Sequence, residues 1–182
     1  MDIHEYGFPG CFLVKPKVFF DARGRFVKTF HETDFVKNGI KIDFKEEYYS
    51  VSNKGVIRGM HFQTPPHDHV KMIYCTKGVV FDAFVDLRKN SPTYLQSMDA
   101  LLSEENGNVL ILAKGIAHGF CSLEDNSIMV YKTTSEYNSE SDMGVKWDSC
   151  GIEWPSIANE NMLSDRDKAL PLLGDFDTPF LF

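Results

Sequence analysis

The stretch Arg58-Gly59-Met60-His61-Phe62-Gln63 gathers an arginine, a histidine and a glutamine around a glycine. The missing Cβ of that glycine lets another backbone come close. His67, His69 and Lys71 follow, and a further histidine sits between glycines in Gly115-Ile116-Ala117-His118-Gly119-Phe120. An imidazole titrates near neutrality, so it can take a proton and give it back at physiological pH; a carboxylate partner fixes its tautomer and favours its charged form. His67-Asp68-His69 raises metal binding as an alternative, with His118 as a third ligand. The segment that follows, Val70-Lys71-Met72-Ile73-Tyr74, supplies no carboxylate and places a cation beside the would-be ligands. A solvated loop after Pro65-Pro66 fits those histidines better, and no metal is expected.

Strands must carry these groups. Short apolar or alternating runs recur with turn residues between them: Phe12–Val14, Val18–Phe20, 26–30, 44–52, 70–75, 79–87, 95–102, 109–113 and 127–134. In the run from Val79 one parity is wholly apolar, and the other carries Asp82 and Asp86, which therefore share a face. Tyr131 shares its face with Met129 and Thr133. Helix signals are short. Residues 33–38 before Gly39 read as one helix, and Ser164-Asp165-Arg166-Asp167 reads as a capping box closed by Pro171. The tail after Trp154-Pro155 is less regular and is expected to lie over a barrel. No repeat, low-complexity tract or linker divides the 182 residues, so one domain spanning 1–182 is expected.

Composition agrees with a strand-built globule: 15 Phe, 7 Tyr and 2 Trp favour strands over helices. A net charge of −7 without a basic stripe argues against a nucleic-acid partner. Four scattered cysteines (Cys11, Cys75, Cys121, Cys150) contain no CxxC and imply neither a disulfide framework nor a zinc site. The beginning lacks a charged then apolar leader, and the strongest apolar run, Val109–Ala113, is too short to span a bilayer. No membrane partner and a soluble cytoplasmic setting are expected.

Several short motifs occur in one order along the chain: Asp21-x-Arg23-Gly24, Arg58-Gly59-Met60-His61-Phe62-Gln63, Asp82-x-x-x-Asp86-Leu87-Arg88, Ser91-Pro92-Thr93-Tyr94, Leu102-Ser103-x-x-Asn106, Ala117-His118-Gly119-Phe120, Ile152-Glu153-Trp154-Pro155 and Leu163-Ser164-x-x-Asp167. Each alone is weak; together, from about Cys11 to Leu172, they resemble the dTDP-4-dehydrorhamnose 3,5-epimerase family. The resemblance implies an all-β fold, a double-stranded β-helix (cupin-type jelly roll) with a few short peripheral helices. It also implies a homodimer with exchanged strands, a nucleotide diphosphate 4-keto-6-deoxy sugar as substrate, and no metal or organic cofactor. Carried over by position, His61 matches the general base, Asp167 its carboxylate partner, and Tyr131 the proton donor on the sugar's other face. His118 and Lys71 match groups near the ketone oxygen. Arg58, Gln63, Asp82 and Arg23 match substrate-binding positions, and Tyr137 matches the aromatic near the nucleotide base. A C–H beside a ketone is a feeble acid. Such a kit supplies a positioned base, worth about 10²–10⁴-fold, and enolate stabilisation, on the order of 3 kcal/mol per donor.

Blander roles compete at each position. His61 can be a polar residue at a strand end, Asp167 a simple helix cap, and Tyr131 a packing residue. Recognition positions also depart from the family pattern. Arg25 and Lys28 stand where it has an aromatic and an acid, and Glu46-Glu47-Tyr48 stands where it has Gln-x-Asn. Ala113 and Ile116 replace its Pro and Phe. Lysine only donates hydrogen bonds, so Lys28 suits a base with an acceptor edge, such as cytosine or guanine, better than thymine. Competing functions are a nucleotide-sugar 3,4-ketoisomerase and a catalytically silent sugar-binding barrel.

Overall fold

A computed structural model describes residues 1–182. In chain order the elements are β1 (Asp2–Glu5), β2 (Phe12–Lys15), β3 (Val18–Asp21), β4 (Gly24–Val27), α1 (Glu32–Lys37), β5 (Glu46–Ser52), β6 (Ile57–Gln63), β7 (Lys71–Lys77), β8 (Val79–Asp86), β9 (Ser97–Ser103), β10 (Val109–Leu112), β11 (Ile116–Ser122), β12 (Ser127–Thr133), β13 (Asp142–Gly144) and α2 (Asp165–Lys168), with short 3₁₀ turns in the tail. One sheet runs β1-β2-β10-β7-β12-β5, and the other β13-β6-β11-β8-β9. Their pairings nest. The β8–β9 hairpin is followed outward by β7 with β10, β6 with β11 and β5 with β12, all antiparallel. Successive pairs fall in alternate sheets, so a long hairpin is wound into a double-stranded β-helix. The all-β jelly roll expected from the sequence is the fold.

Residue alternation places the core. On β12, Met129, Tyr131 and Thr133 are buried while Ile128, Val130 and Lys132 are partly exposed. Strand β8 is covered on both sides. Val80 and Phe84 point between the sheets, where they meet Leu13, Ile73, Leu102, Leu110 and Phe120. Ala83 and Val85 point outward and are covered by Cys150, Phe176 and Phe180 of the tail. Each large apolar side chain buried this way is worth about 1.5–3 kcal/mol. The inner core fills one end of the barrel. Phe120 and Tyr131 belong both to that core and to the wall of the cavity at the other end.

Two glycines bring the chemistry-bearing strands together. Gly59 sits at φ +133, and a Cβ there would lie 2.4 Å from the Gly119 Cα and 2.9 Å from the His118 carbonyl oxygen. A Cβ on Gly119 would lie 2.8 Å from the Arg58 carbonyl oxygen. Only paired glycines allow β6 and β11 this approach. It coincides with a register shift between His118 and Phe120, after which His118 lies opposite His61.

The short helices fall close to where their signals put them. Helix α1 begins one residue early, and Gly39 at φ +78 follows its end. In α2 the Ser164 hydroxyl caps the Asp167 N–H at 3.1 Å. The Asp167 carboxylate does not return the bond to Ser164, because it is engaged elsewhere. Strand β1 carried no periodic signal; it pairs with β2 at the sheet edge.

Candidate active site

A cavity of about 640 Å³ opens between the two sheets. The wall from β6 and β11 presents Arg58, His61 and His118; the facing wall from β5, β7 and β12 presents Tyr48, Ser50, Lys71 and Tyr131. Helix α2 closes one side with Arg166 and Asp167. This volume is typical of a small-molecule site.

His61 and Asp167 are 106 positions apart, yet the His61 Nε2 lies 2.7 Å from the Asp167 Oδ1. The other carboxylate oxygen accepts the Gly59 N–H at 3.4 Å. Burial pushes the Asp167 carboxyl up, but the His61 bond and charge, the Gly59 N–H and Arg166 together hold it below its ordinary value. The side chain is therefore an anion at neutral pH, and it orients an imidazole that stays about a quarter exposed to the cavity.

Tyr131 is nearly sealed. Its hydroxyl lies 3.3 Å from the Ser50 Oγ, and its ring stacks on Tyr48 with centroids 4.8 Å apart and an interplanar angle of 13°. Burial keeps the phenol protonated far above neutral pH. Lys71 is fully buried in protein apart from its face on the cavity. Desolvation pushes its ammonium down to about 8, against the pull of Asp82 and Asp142. Its Nζ makes no hydrogen bond or ion pair to protein. A cation held this way is ready for an oxygen ligand.

The comparisons with known proteins agree on one family. The family model described as dTDP-4-dehydrorhamnose 3,5-epimerase matches residues 5–175. A dTDP-4-dehydrorhamnose 3,5-epimerase of Sinorhizobium fredii is 39% identical over 173 residues, covering 93% of this chain and 88% of its own. The chain belongs to the dTDP-4-dehydrorhamnose 3,5-epimerase family. The crystal structure of the Bacillus anthracis dTDP-4-dehydrorhamnose 3,5-epimerase with TDP and pyrophosphate bound superposes with a TM-score of 0.90 at 37% identity, covering 94% of this chain and 99% of that one. The Legionella pneumophila enzyme in complex with dTDP-4-keto-L-rhamnose gives 0.92 at 32% identity, covering 100% and 98%. The enzyme class is accordingly a carbohydrate epimerase.

This epimerase-family chain gathers most, not all, of the residues singled out in its sequence. His61, Asp167, Tyr131, Arg58, Gln63, Lys71, His118 and Tyr137 all line the cavity. Arg58 is anchored by its Nε to the Ser52 Oγ at 3.1 Å. Gln63 is already spent. Its amide nitrogen donates to the carbonyls of His67 and Glu136, and its oxygen accepts the Asn138 N–H at 2.6 Å, so it pins the loop before Tyr137.

Three of the expected substrate-binding residues do not line this chain's own cavity. Asp82 does not reach the cavity. It sits behind His118, whose Nε2 is 2.8 Å from the Asp82 Oδ2, and both are buried. The β8 parity that puts Asp82 between the sheets also seals it there. Arg23 and Lys28 are exposed on and just after the β3–β4 hairpin, outside their own chain's cavity. Arg23 pairs instead with Asp21 within the turn. Asp86, on the same face as Asp82, is tied to Arg88, Ser91 and Thr93.

The cavity also holds Ser50, Thr133, Ser135, Asp142 and Arg166, to which the sequence gave no role, and His69, which was expected in a solvated loop. Arg166 pairs with Asp142 at 2.9 Å across the mouth. Burial and the cations of Lys71 and Lys114 push His69 down to about 3, so it is a neutral ring bonded to the Ser135 Oγ. The alternation of β5 and β12 was the available signal for Ser50 and Thr133. It gives a face, not the end of the barrel.

Proposed function

We propose that this chain inverts carbons flanking the ketone of a nucleotide diphosphate 4-keto-6-deoxy sugar, with no cofactor. The observation that carries the proposal is the His61–Asp167 pair on one wall and Tyr131 on the other, with a sugar-sized space between. His61 removes the proton from a carbon beside the ketone, and the Asp167 anion steadies the resulting imidazolium. Lys71 and His118 bear on the developing enolate oxygen. Tyr131 returns a proton from the opposite face, which inverts the centre. Arg58 and Arg166 supply positive charge for the diphosphate, and Tyr137, exposed at the mouth, offers a ring to the base.

The relatives are named for a dTDP sugar, and that sugar is the reference substrate here. A homodimer is part of the same proposal. Phe19, Phe20 and Phe26 are more than half exposed on the β3–β4 hairpin, an aromatic surface that a second copy would cover. Only against a partner's cavity would Arg23 and Lys28 bear on substrate, and the preference of Lys28 for cytosine or guanine rests on that arrangement.

The test is solvent exchange in D₂O, read by NMR, with dTDP-, CDP- and GDP-linked 4-keto-6-deoxy sugars. Label entering carbons beside an unmoved ketone supports epimerisation. Migration of the carbonyl would mean ketoisomerisation, and no label with retained binding would mean a silent binder.

A further inference from the structure

Tyr48 is a phenol on the cavity wall that the reaction above leaves without a part. It lies directly opposite Tyr131 across the β5–β12 ladder, and their rings are nearly parallel at 4.8 Å. Side chains at paired positions project from the same face of the sheet, and both residues line the cavity. Their surroundings differ. The Tyr131 hydroxyl has Ser50 as a partner and is nearly closed off, whereas the Tyr48 hydroxyl has no protein partner and the residue is 43% exposed. Partial burial first, and then the charges of Glu46 and Asp142 in the cavity lining, push the Tyr48 phenol up to about 12 and keep its O–H intact as a donor.

We propose that Tyr48 is a second phenolic proton donor beside Tyr131, so that each ring serves one of the two carbons flanking the ketone. This rests on the epimerase reading above and adds the donor for the second carbon. The steps balance. His61 takes a proton as a flanking C–H bond breaks, and the electron pair moves into the enolate. The enolate carbon then forms a C–H bond with the Tyr48 proton as the ketone is restored, leaving a phenolate. Solvent reprotonates that phenolate, which its exposure permits, and His61 releases its proton to solvent. The base and acid are regenerated without oxidant or reductant. The stack also explains the ring at this position: each phenol fixes the plane of the other, which keeps both donors aimed at one sugar.

The experiment follows deuterium entry at C3 and C5 separately, with the dTDP sugar as probe, for wild type, Tyr48→Phe and Tyr131→Phe. Phenylalanine keeps the stack, and thermal unfolding of each variant checks that the fold is retained. Wild type labels both carbons. Tyr48→Phe slows labelling at one carbon by at least about ten-fold relative to the other, and Tyr131→Phe shows the opposite preference. Equal losses at both carbons, or an unchanged ratio in Tyr48→Phe, would overturn the proposal. So would wild-type label at a single carbon, although the epimerase reading would then survive. Label at neither carbon in wild type would remove the epimerase reading itself.

Discussion

The barrel contains two histidine–aspartate pairs of nearly equal length, and they live in opposite environments. His61–Asp167 spans 2.7 Å at the cavity edge; its carboxylate also accepts a backbone N–H and is held below its ordinary value, against burial. His118–Asp82 spans 2.8 Å and is sealed in the wall. There burial dominates. It pushes Asp82 up and His118 down, and one Asp82 oxygen has no hydrogen-bond partner. The first pair can exchange protons with a ligand and with solvent. The second is held by its surroundings and presents one edge of His118 to the cavity. The same two residue types thus stand in opposite electrostatic surroundings, and access to water makes the difference.

The largest effect that would sharpen this contrast is on turnover. His61→Asn should reduce kcat by about 10²–10⁴-fold in the exchange assay, with the unfolding temperature changed little, because the ring is partly exposed. Asp167→Asn should follow with a smaller loss of kcat, since the imidazole loses its orienting anion.

Asp82→Ala should shift the balance toward stability. Removing Asp82 leaves the buried His118 ring, which burial holds toward its neutral form, without its hydrogen-bond partner, at a cost of about 1–3 kcal/mol, which thermal or denaturant unfolding would register. If Asp167→Asn destabilised as much as Asp82→Ala, or Asp82→Ala left the unfolding temperature alone, the contrast between the pairs would be broken.

A third effect is in pH. Lys71, lowered to about 8, carries its charge below that value and loses it above, so kcat/KM of the free enzyme should fall as pH rises through about 8. The sign for stability is opposite. Between about 8 and the ordinary lysine value of 10.5 the unfolded chain binds more protons at this site than the folded one. Lys71's contribution to stability therefore rises over that window. A loss of rate there, with unfolding unchanged or improved, belongs to the site; Lys71→Met should abolish that limb along with most of the activity. The smallest effect is Ser164→Ala, which removes the cap from α2 and should lower stability by about 1 kcal/mol. The loss of kcat should stay below that of Asp167→Asn.

Much of the site was legible because its signals are local. Gly59 announced close backbone approach, and together with Gly119 it does permit the β6–β11 contact that sets His61 opposite His118. Ser164-x-x-Asp167 announced a helix start. The face on which Tyr131 lies followed from the alternation of β12. Other features were hidden because they depend on what lies across the barrel. Asp82 alternates as an inward residue, but nothing in its own strand says that His118 would stand between it and the cavity. Gln63 reads as a ligand-binding amide until the loop at 134–139 folds back onto it.

The order of apolar runs, turn residues and glycines pointed to a strand-built sandwich or small barrel, because side-chain alternation and backbone freedom act over a few residues, and the family resemblance narrowed that to the jelly roll. The same sequence carried the imidazole, carboxylate and phenols. Only the tertiary structure decided which of them share a cavity. His61 meets Asp167 across 106 positions, and Tyr48 lands on Tyr131 across 83, through the pairing of β5 with β12. Long-range pairing is set by burial of whole sheet faces. That summed quantity has no signature at any single residue.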